Sequence, residues 1–167
     1  MRPLKNFELW LLLLIILLTV FFVIGRILNW YSFGFFVGPL RLSHWLVLVG
    51  SLYVAFATPA FAISKRRFPK RYDALAGFHT IGNLSAFLLV SIHFTSQVTR
   101  PAASYPELGE GLALYIVMLL LVASGFLYRF QIIPRLKPSI NRFVHVSVAL
   151  SFYIIIGIHI LHGLGIL

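Results

Sequence analysis

Residues 77–94 read GFHTIGNLSAFLLVSIHF, a mostly apolar stretch in which His79 and His93 stand fourteen positions apart. Residues 143–160, FVHVSVALSFYIIIGIHI, repeat the spacing with His145 and His159. In a helix, fourteen residues turn about 1400°, so the two histidines of each stretch fall within about 40° of one face and about 21 Å apart along the axis. The rest of the chain must explain why such a pattern occurs twice.

Composition decides the class first. The 167 residues are 60% hydrophobic and 11% charged, with a mean hydropathy of +0.95, far too apolar for a soluble domain of this size. An integral membrane protein is expected. Fourteen Lys and Arg against four acidic residues give a net charge of +10, a balance that elsewhere points to nucleic acid. Here the basic residues cluster between apolar runs, where they anchor a polytopic protein and meet lipid phosphates, so membrane lipid rather than nucleic acid is the expected partner. The absence of cysteine excludes disulfides, iron–sulfur clusters and thiolate metal sites.

A bilayer core of about 30 Å takes roughly 20 apolar residues in a helix. Five segments meet this length, at about 7–28, 42–63, 74–98, 108–128 and 141–164. The first exceeds a signal-peptide core and no small-residue cleavage site follows it, so a retained helix is expected. Pro59 falls near the end of the second segment, where proline costs least. The 29–40 connection, NWYSFGFFVGPL, is expected to lie in the membrane interface or dip back into it. Short connections make consecutive helices antiparallel neighbours, so the fold expected is an all-α, polytopic membrane helix bundle forming one domain over 1–167.

Loop charge orients it. Arg2, Lys5, Lys65, Arg66, Arg67, Lys70, Arg71, Arg129, Arg135, Lys137 and Arg142 fall on one side, and Arg26, Arg41 and Arg100 on the other. Cytoplasmic loops retain Lys and Arg, which predicts a plasma (inner) membrane protein with its N-terminus cytoplasmic and its C-terminus external. The third and fifth helices then run in the same direction. His79 lies level with His145 near the cytoplasmic side, and His93 with His159 near the external side.

Two facing imidazoles across a helix pair can clamp one metal-centred disc, the iron of haem taking an axial nitrogen from each side. Two levels predict two haem b groups, an inner one on His79 and His145 and an outer one on His93 and His159. Gly77, Gly82, Ala86, Ala149 and Gly157 are small residues that would let a porphyrin approach the backbone. Arg66, Arg67, Arg71 or Arg142 would meet the inner propionates, and Arg100 or Arg41 the outer. A single membrane histidine ordinarily serves a helix–helix hydrogen bond. Four at matched spacing and matched depth point instead to function.

His162 is seventeen residues from His145, about 100° off the shared face, and is not expected to ligate. His44, at the external start of the second helix, is likewise unpaired in sequence. For both the alternatives are an ordinary hydrogen bond or contact with an external substrate or quinone. A histidine-lined ion or metal pathway fits less well, because such pathways pair histidines with intramembrane carboxylates, and Glu8, Asp73, Glu107 and Glu110 all fall at segment ends or in loops. Asn83, Ser85, Ser91, Thr95 and Gln97 add polarity to the third helix, where such groups tie helices together.

Paired H-x13-H helices separated by one intervening helix, the basic segment before Gly77-Phe78-His79 and the loop PRLKPSINRFVH leading into His145 together resemble the ferric reductase-like transmembrane domain. Ferric reductases, NADPH oxidases and the haem subunit of a periplasmic methionine-sulfoxide reductase system share that domain. The likeness covers about 41–162. It implies haem ligation by the four histidines and electron transfer from a cytosolic donor to an external acceptor. Departing from the reductases and oxidases, the chain stops soon after His162 and has no Gly-rich phosphate loop. The donor is therefore expected to be a separate flavoprotein subunit or a membrane quinol, and the protein an electron-transfer subunit of an oxidoreductase, catalytic only with a partner. An alternative is a haem-bearing anchor in a larger respiratory or photosynthetic complex exchanging electrons with quinone. A third is a transport or structural bundle without redox function.

Overall fold

In a bilayer no water pairs with backbone N–H and C=O groups, so a spanning chain must satisfy them within each segment as a helix. The computed structural model describes residues 3–101, 109–133, 135–163 and 165–166. Nearly all of them are helical, in α1 (Pro3–Ile27), α2 (Leu42–Arg67), α3 (Tyr72–Val98), α4 (Gly109–Phe130) and α5 (Pro138–Gly163). All five helices are long and apolar enough to cross a membrane. The protein is an all-α, polytopic integral membrane protein. Arg2, Glu107, Leu108 and Leu164, on which sequence expectations fall, lie outside the described residues.

The chain divides into two compact units, Met1–Tyr105 and Pro106–Leu167. In the first, α3 packs on both α1 and α2. Its contacts are close because the sequence is small or polar where the helices meet. A Cβ at Gly50 would lie 3.1 Å from the Ala86 carbonyl oxygen, and one at Gly82 would overlap the Tyr53 ring. The small residues of α3 therefore serve helix packing: Gly82 is filled by Tyr53, Ala86 is buried against α2, and Gly77 faces the buried carboxylate of Glu8 on α1. This corrects the expectation that they open the helix to a porphyrin. The Glu8–Gly77 approach also brings the N-terminal parts of α1 and α3 to the same end of the unit.

Pro59 lies well inside α2, which continues to Arg67. The helix survives because proline's fixed φ is helical and because Lys65, Arg66 and Arg67 occupy the last turn, where positive charge meets the negative end of the helix dipole. The connection after α1 begins with a tight stop. Asn29 takes φ 57°, Trp30 N–H reaches Gly25 O at 2.8 Å and Asn29 N–H reaches Arg26 O at 3.1 Å, the paired bonds of a left-handed helix cap. The Tyr31 hydroxyl then donates to Phe22 O. A two-stranded hairpin follows, β1 (Phe36–Val37) against β2 (Leu40–Arg41), turning at Gly38 with φ 62°. Trp45 Nε1 donates to Val37 O at 2.8 Å, which ties the hairpin to the first turn of α2 and so fixes the neighbourhood of His44.

The hydroxyls of α3 bond along their own helix. Thr80, Ser85, Ser91, Thr95, Ser96 and Thr99 each donate to the carbonyl four residues earlier, at 2.6 to 3.0 Å. Such back-bonding satisfies a hydroxyl in an apolar environment. In the second unit α4 and α5 pack on each other as an antiparallel pair. Large apolar side chains such as Trp10, Leu17, Phe56, Phe143 and Ile154 are exposed, as lipid-facing residues should be.

Candidate functional site

All four histidines of the repeated pattern lie on helix: His79 and His93 on α3, His145 and His159 on α5. Each pair therefore keeps the shared face and the separation of about 21 Å that the spacing requires.

In the first unit His79 is held by its own helix and by α2. Its ring stacks on Phe61, centroids 4.4 Å apart and 16° from parallel, and Lys65 Nζ lies 5.2 Å from the centroid of the same Phe61 ring. Asn83, one turn further along α3, brings its Nδ2 to 2.9 Å from His79 Nδ1 and to 3.3 Å from Nε2. The Asn83 Oδ1 is buried with no hydrogen-bond partner among the described residues. A half-turn of the amide would present that oxygen to an Nδ1–H.

At the other end of α3, His93 meets His44 of α2 edge-on, centroids 5.1 Å apart and 70° between planes. His44 Nδ1 is buried without a hydrogen-bond partner among the described residues. The same end gathers Arg41, whose guanidinium lies 5.5 Å over the Phe36 ring, and Arg100, both charges acting on His44. Burial first, and then the Arg41 charge, hold Arg100 below the usual guanidinium range. Two arginines and a histidine thus share one end of the unit. Arg66 and Arg67 close α2, Arg71 ends the short 3-10 turn Pro69–Arg71, and Arg142 stands in the first turn of α5. All four are exposed.

In the second unit α4 and α5 meet in a regular antiparallel register. His145 is seated on Ser124 and Gly125: Ser124 Oγ lies 3.1 Å from His145 Nδ1, and a Cβ at Gly125 would come within 3.0 Å of His145 Cε1. Fourteen residues back along α4, Glu110 Oε2 lies 3.8 Å from His159 Nδ1, and a Cβ at Gly111 would be 4.0 Å from His159 Cε1. A polar residue followed by glycine thus recurs at 110–111 and 124–125, in step with the histidines it faces. The sequence reading passed over Ser124, Gly125 and Gly111. The signal that would have found them is this second fourteen-residue repeat on the helix between the two histidine helices.

His162 Nδ1 lies 2.8 Å from Glu110 Oε1. Glu110 stands in the first turn of α4, a segment end, yet it reaches two histidines. Among the described residues no group of three His, Cys, Asp or Glu is gathered as a metal-binding cluster, so any metal chemistry here falls to imidazoles acting in smaller numbers.

The donor chemistry suits axial ligation. Ser124 has one hydroxyl proton, and it goes to Leu121 O at 3.1 Å. With that proton given to Leu121 O, the oxygen is placed to accept from a His145 ring protonated at Nδ1, the tautomer in which the lone pair sits on Nε2. A metal-bound histidine ordinarily has this arrangement, with its other N–H donated to a hydroxyl, carbonyl or carboxylate. Glu110 offers His159 Nδ1 a carboxylate in the same sense. No family model, curated protein or solved structure matches the chain.

Proposed function

We propose that the protein is a dihaem b-type cytochrome that relays electrons across its membrane, between a cytosolic flavoprotein subunit or a quinol and an external acceptor. His79 and His145 would hold the inner haem, His93 and His159 the outer. Haem, when bound, supplies a one-electron iron couple. Two imidazoles would hold each group, and haem held by two histidines would supply outer-sphere one-electron transfer. Arg66, Arg67, Arg71 and Arg142 would meet the inner propionates, with Arg41 and Arg100 at the outer end. The proposed orientation, N-terminus cytoplasmic and C-terminus external, follows the loop charges. The resemblance to the ferric reductase-like transmembrane domain points the same way.

The observation that carries this reading is the match between two periods: histidines fourteen apart on α5, and polar–glycine seats fourteen apart on α4 facing them. A packing role alone needs no polar group beside Nδ1 at both levels, a hydroxyl at 3.1 Å from His145 and a carboxylate at 3.8 Å from His159. The test is a reduced-minus-oxidised spectrum of the purified protein with a pyridine haemochrome count. Two haem b per chain are expected. No b-type bands would end the reading, and one haem per chain would end its two-level form.

A further inference from the structure

We propose that α4 is the positioning helix of the cytochrome, its Ser124-Gly125 and Glu110-Gly111 pairs orienting the imidazoles of His145 and His159. The proposal rests on the haem reading and assigns roles to four residues that ligate nothing themselves.

The inner seat is a hydroxyl with two neighbours. Ser124 is buried, and its Oγ lies 3.1 Å from Leu121 O and 3.1 Å from His145 Nδ1. In this proposal the hydroxyl donates to the carbonyl and accepts from Nδ1–H, which holds the ring as the tautomer with its lone pair on Nε2. Gly125 lets the ring lie against the α4 backbone, since a Cβ there would press on His145 Cε1 at 3.0 Å. A larger residue would turn the ring away from Ser124, so hydroxyl and glycine act as one device. At the outer seat Glu110 faces His159 Nδ1 at 3.8 Å, beyond hydrogen-bond reach, because its other oxygen is bonded to His162 at 2.8 Å. There the carboxylate acts chiefly as a negative charge beside the ring.

With haem bound, both partners would make the imidazole a stronger donor to the iron, as hydrogen-bonded or carboxylate-paired metal-bound histidines are. Removing either should raise the potential of one haem and leave the other where it was. Because α4 binds nothing in this scheme, its substitutions act only through the histidine they face.

The experiment uses the full chain with its haems and three variants, Ser124→Ala, Ser124→Thr and Glu110→Gln, followed by optical redox titration. Ser124→Ala is expected to raise one midpoint and to loosen that haem by about 10–100-fold, the usual effect of losing such a partner. Ser124→Thr keeps the hydroxyl and should restore both properties. Glu110→Gln should raise the other midpoint. Midpoints that stay unmoved in Ser124→Ala and Glu110→Gln, or that move for the same haem in both, overturn the proposal.

Failure of the haem reading is recognised separately, as a wild-type chain without b-type bands. The inner seat can then still be judged by ¹⁵N NMR of histidine-labelled full-length protein. A His145 ring protonated at Nδ1 in the wild type and no longer so in Ser124→Ala supports it, and identical spectra overturn it.

Discussion

His145 and His159 lie on one helix, against one neighbour, each beside a glycine, yet the groups at their Nδ1 atoms differ in kind. At the inner seat a neutral hydroxyl is fixed by a backbone carbonyl and bonds at 3.1 Å. At the outer seat a carboxylate stands off at 3.8 Å while bonded to a second histidine. The inner partner is buried and the outer ones are partly exposed, with 39% of the Glu110 side chain and 54% of the His162 side chain accessible. Depth explains the chemistry. A carboxylate is costly among apolar side chains, so the deeper position uses a hydroxyl whose every bond is satisfied, and charge appears only where water or headgroups can share it. The two levels are thus built to the same plan with materials suited to their surroundings.

The largest effects should come from the histidines themselves. His145→Ala and His159→Ala are each expected to remove one of two haems, halving the pyridine haemochrome yield, and the surviving haem should differ between the two variants by potential. Equal loss of both haems from either variant would show that the levels are not independent and break the comparison at its root.

Next come the glycines. Gly125→Ala places a methyl 3.0 Å from His145 Cε1, tighter than ordinary packing, whereas Gly111→Ala places one at 4.0 Å, an easy van der Waals contact. Gly125→Ala should therefore displace the inner ring from Ser124 and lower the content of that haem, with a stability loss of about 1–3 kcal/mol typical of overpacking. Gly111→Ala should retain full outer haem. Haem stoichiometry and thermal denaturation measured on both variants check this, and equal sensitivity at the two glycines would mean that the seats are not shaped as described.

Much of this was legible in the residues. The five spans follow from apolar run length, and the fourteen-residue spacing of the histidines on α3 and on α5 can be read directly from the residues. The second span was expected to end at about 63, because Lys65, Arg66 and Arg67 read as loop charges, whereas they form the last turn of α2, which runs to Arg67. Gly77 and Gly82 were read as room for a cofactor because a glycine in a sequence does not say which neighbour it admits. Only packing assigns Gly82 to Tyr53 and Gly77 to Glu8. Ser124 was invisible for a related reason: a lone serine in an apolar helix ordinarily bonds its own backbone, and its second partner depends on the α4–α5 register. Glu110 was seen as a segment-end carboxylate, and its reach to two histidines needed the fold.

The smallest effect expected is also the one that most sharpens the contrast between the seats. His162 stands three residues beyond His159 on α5, and its Nδ1 takes up one oxygen of Glu110 at 2.8 Å. In His162→Ala that oxygen loses its partner, and the carboxylate is released to close on His159 Nδ1 from its present 3.8 Å. Both haems should remain, since neither ligand nor glycine is touched, and the outer haem alone should move to a lower potential as its imidazole becomes a stronger donor. The outer seat would then resemble the inner one, with a partner in hydrogen-bond range. Optical redox titration of His162→Ala beside the double variant His162→Ala/Glu110→Gln separates the causes: the downward shift should vanish when the carboxylate is replaced. A shift that persists without the carboxylate, or loss of a haem in His162→Ala, would mean that His162 acts on the outer level directly and that the fourteen-residue face does not hold the whole site.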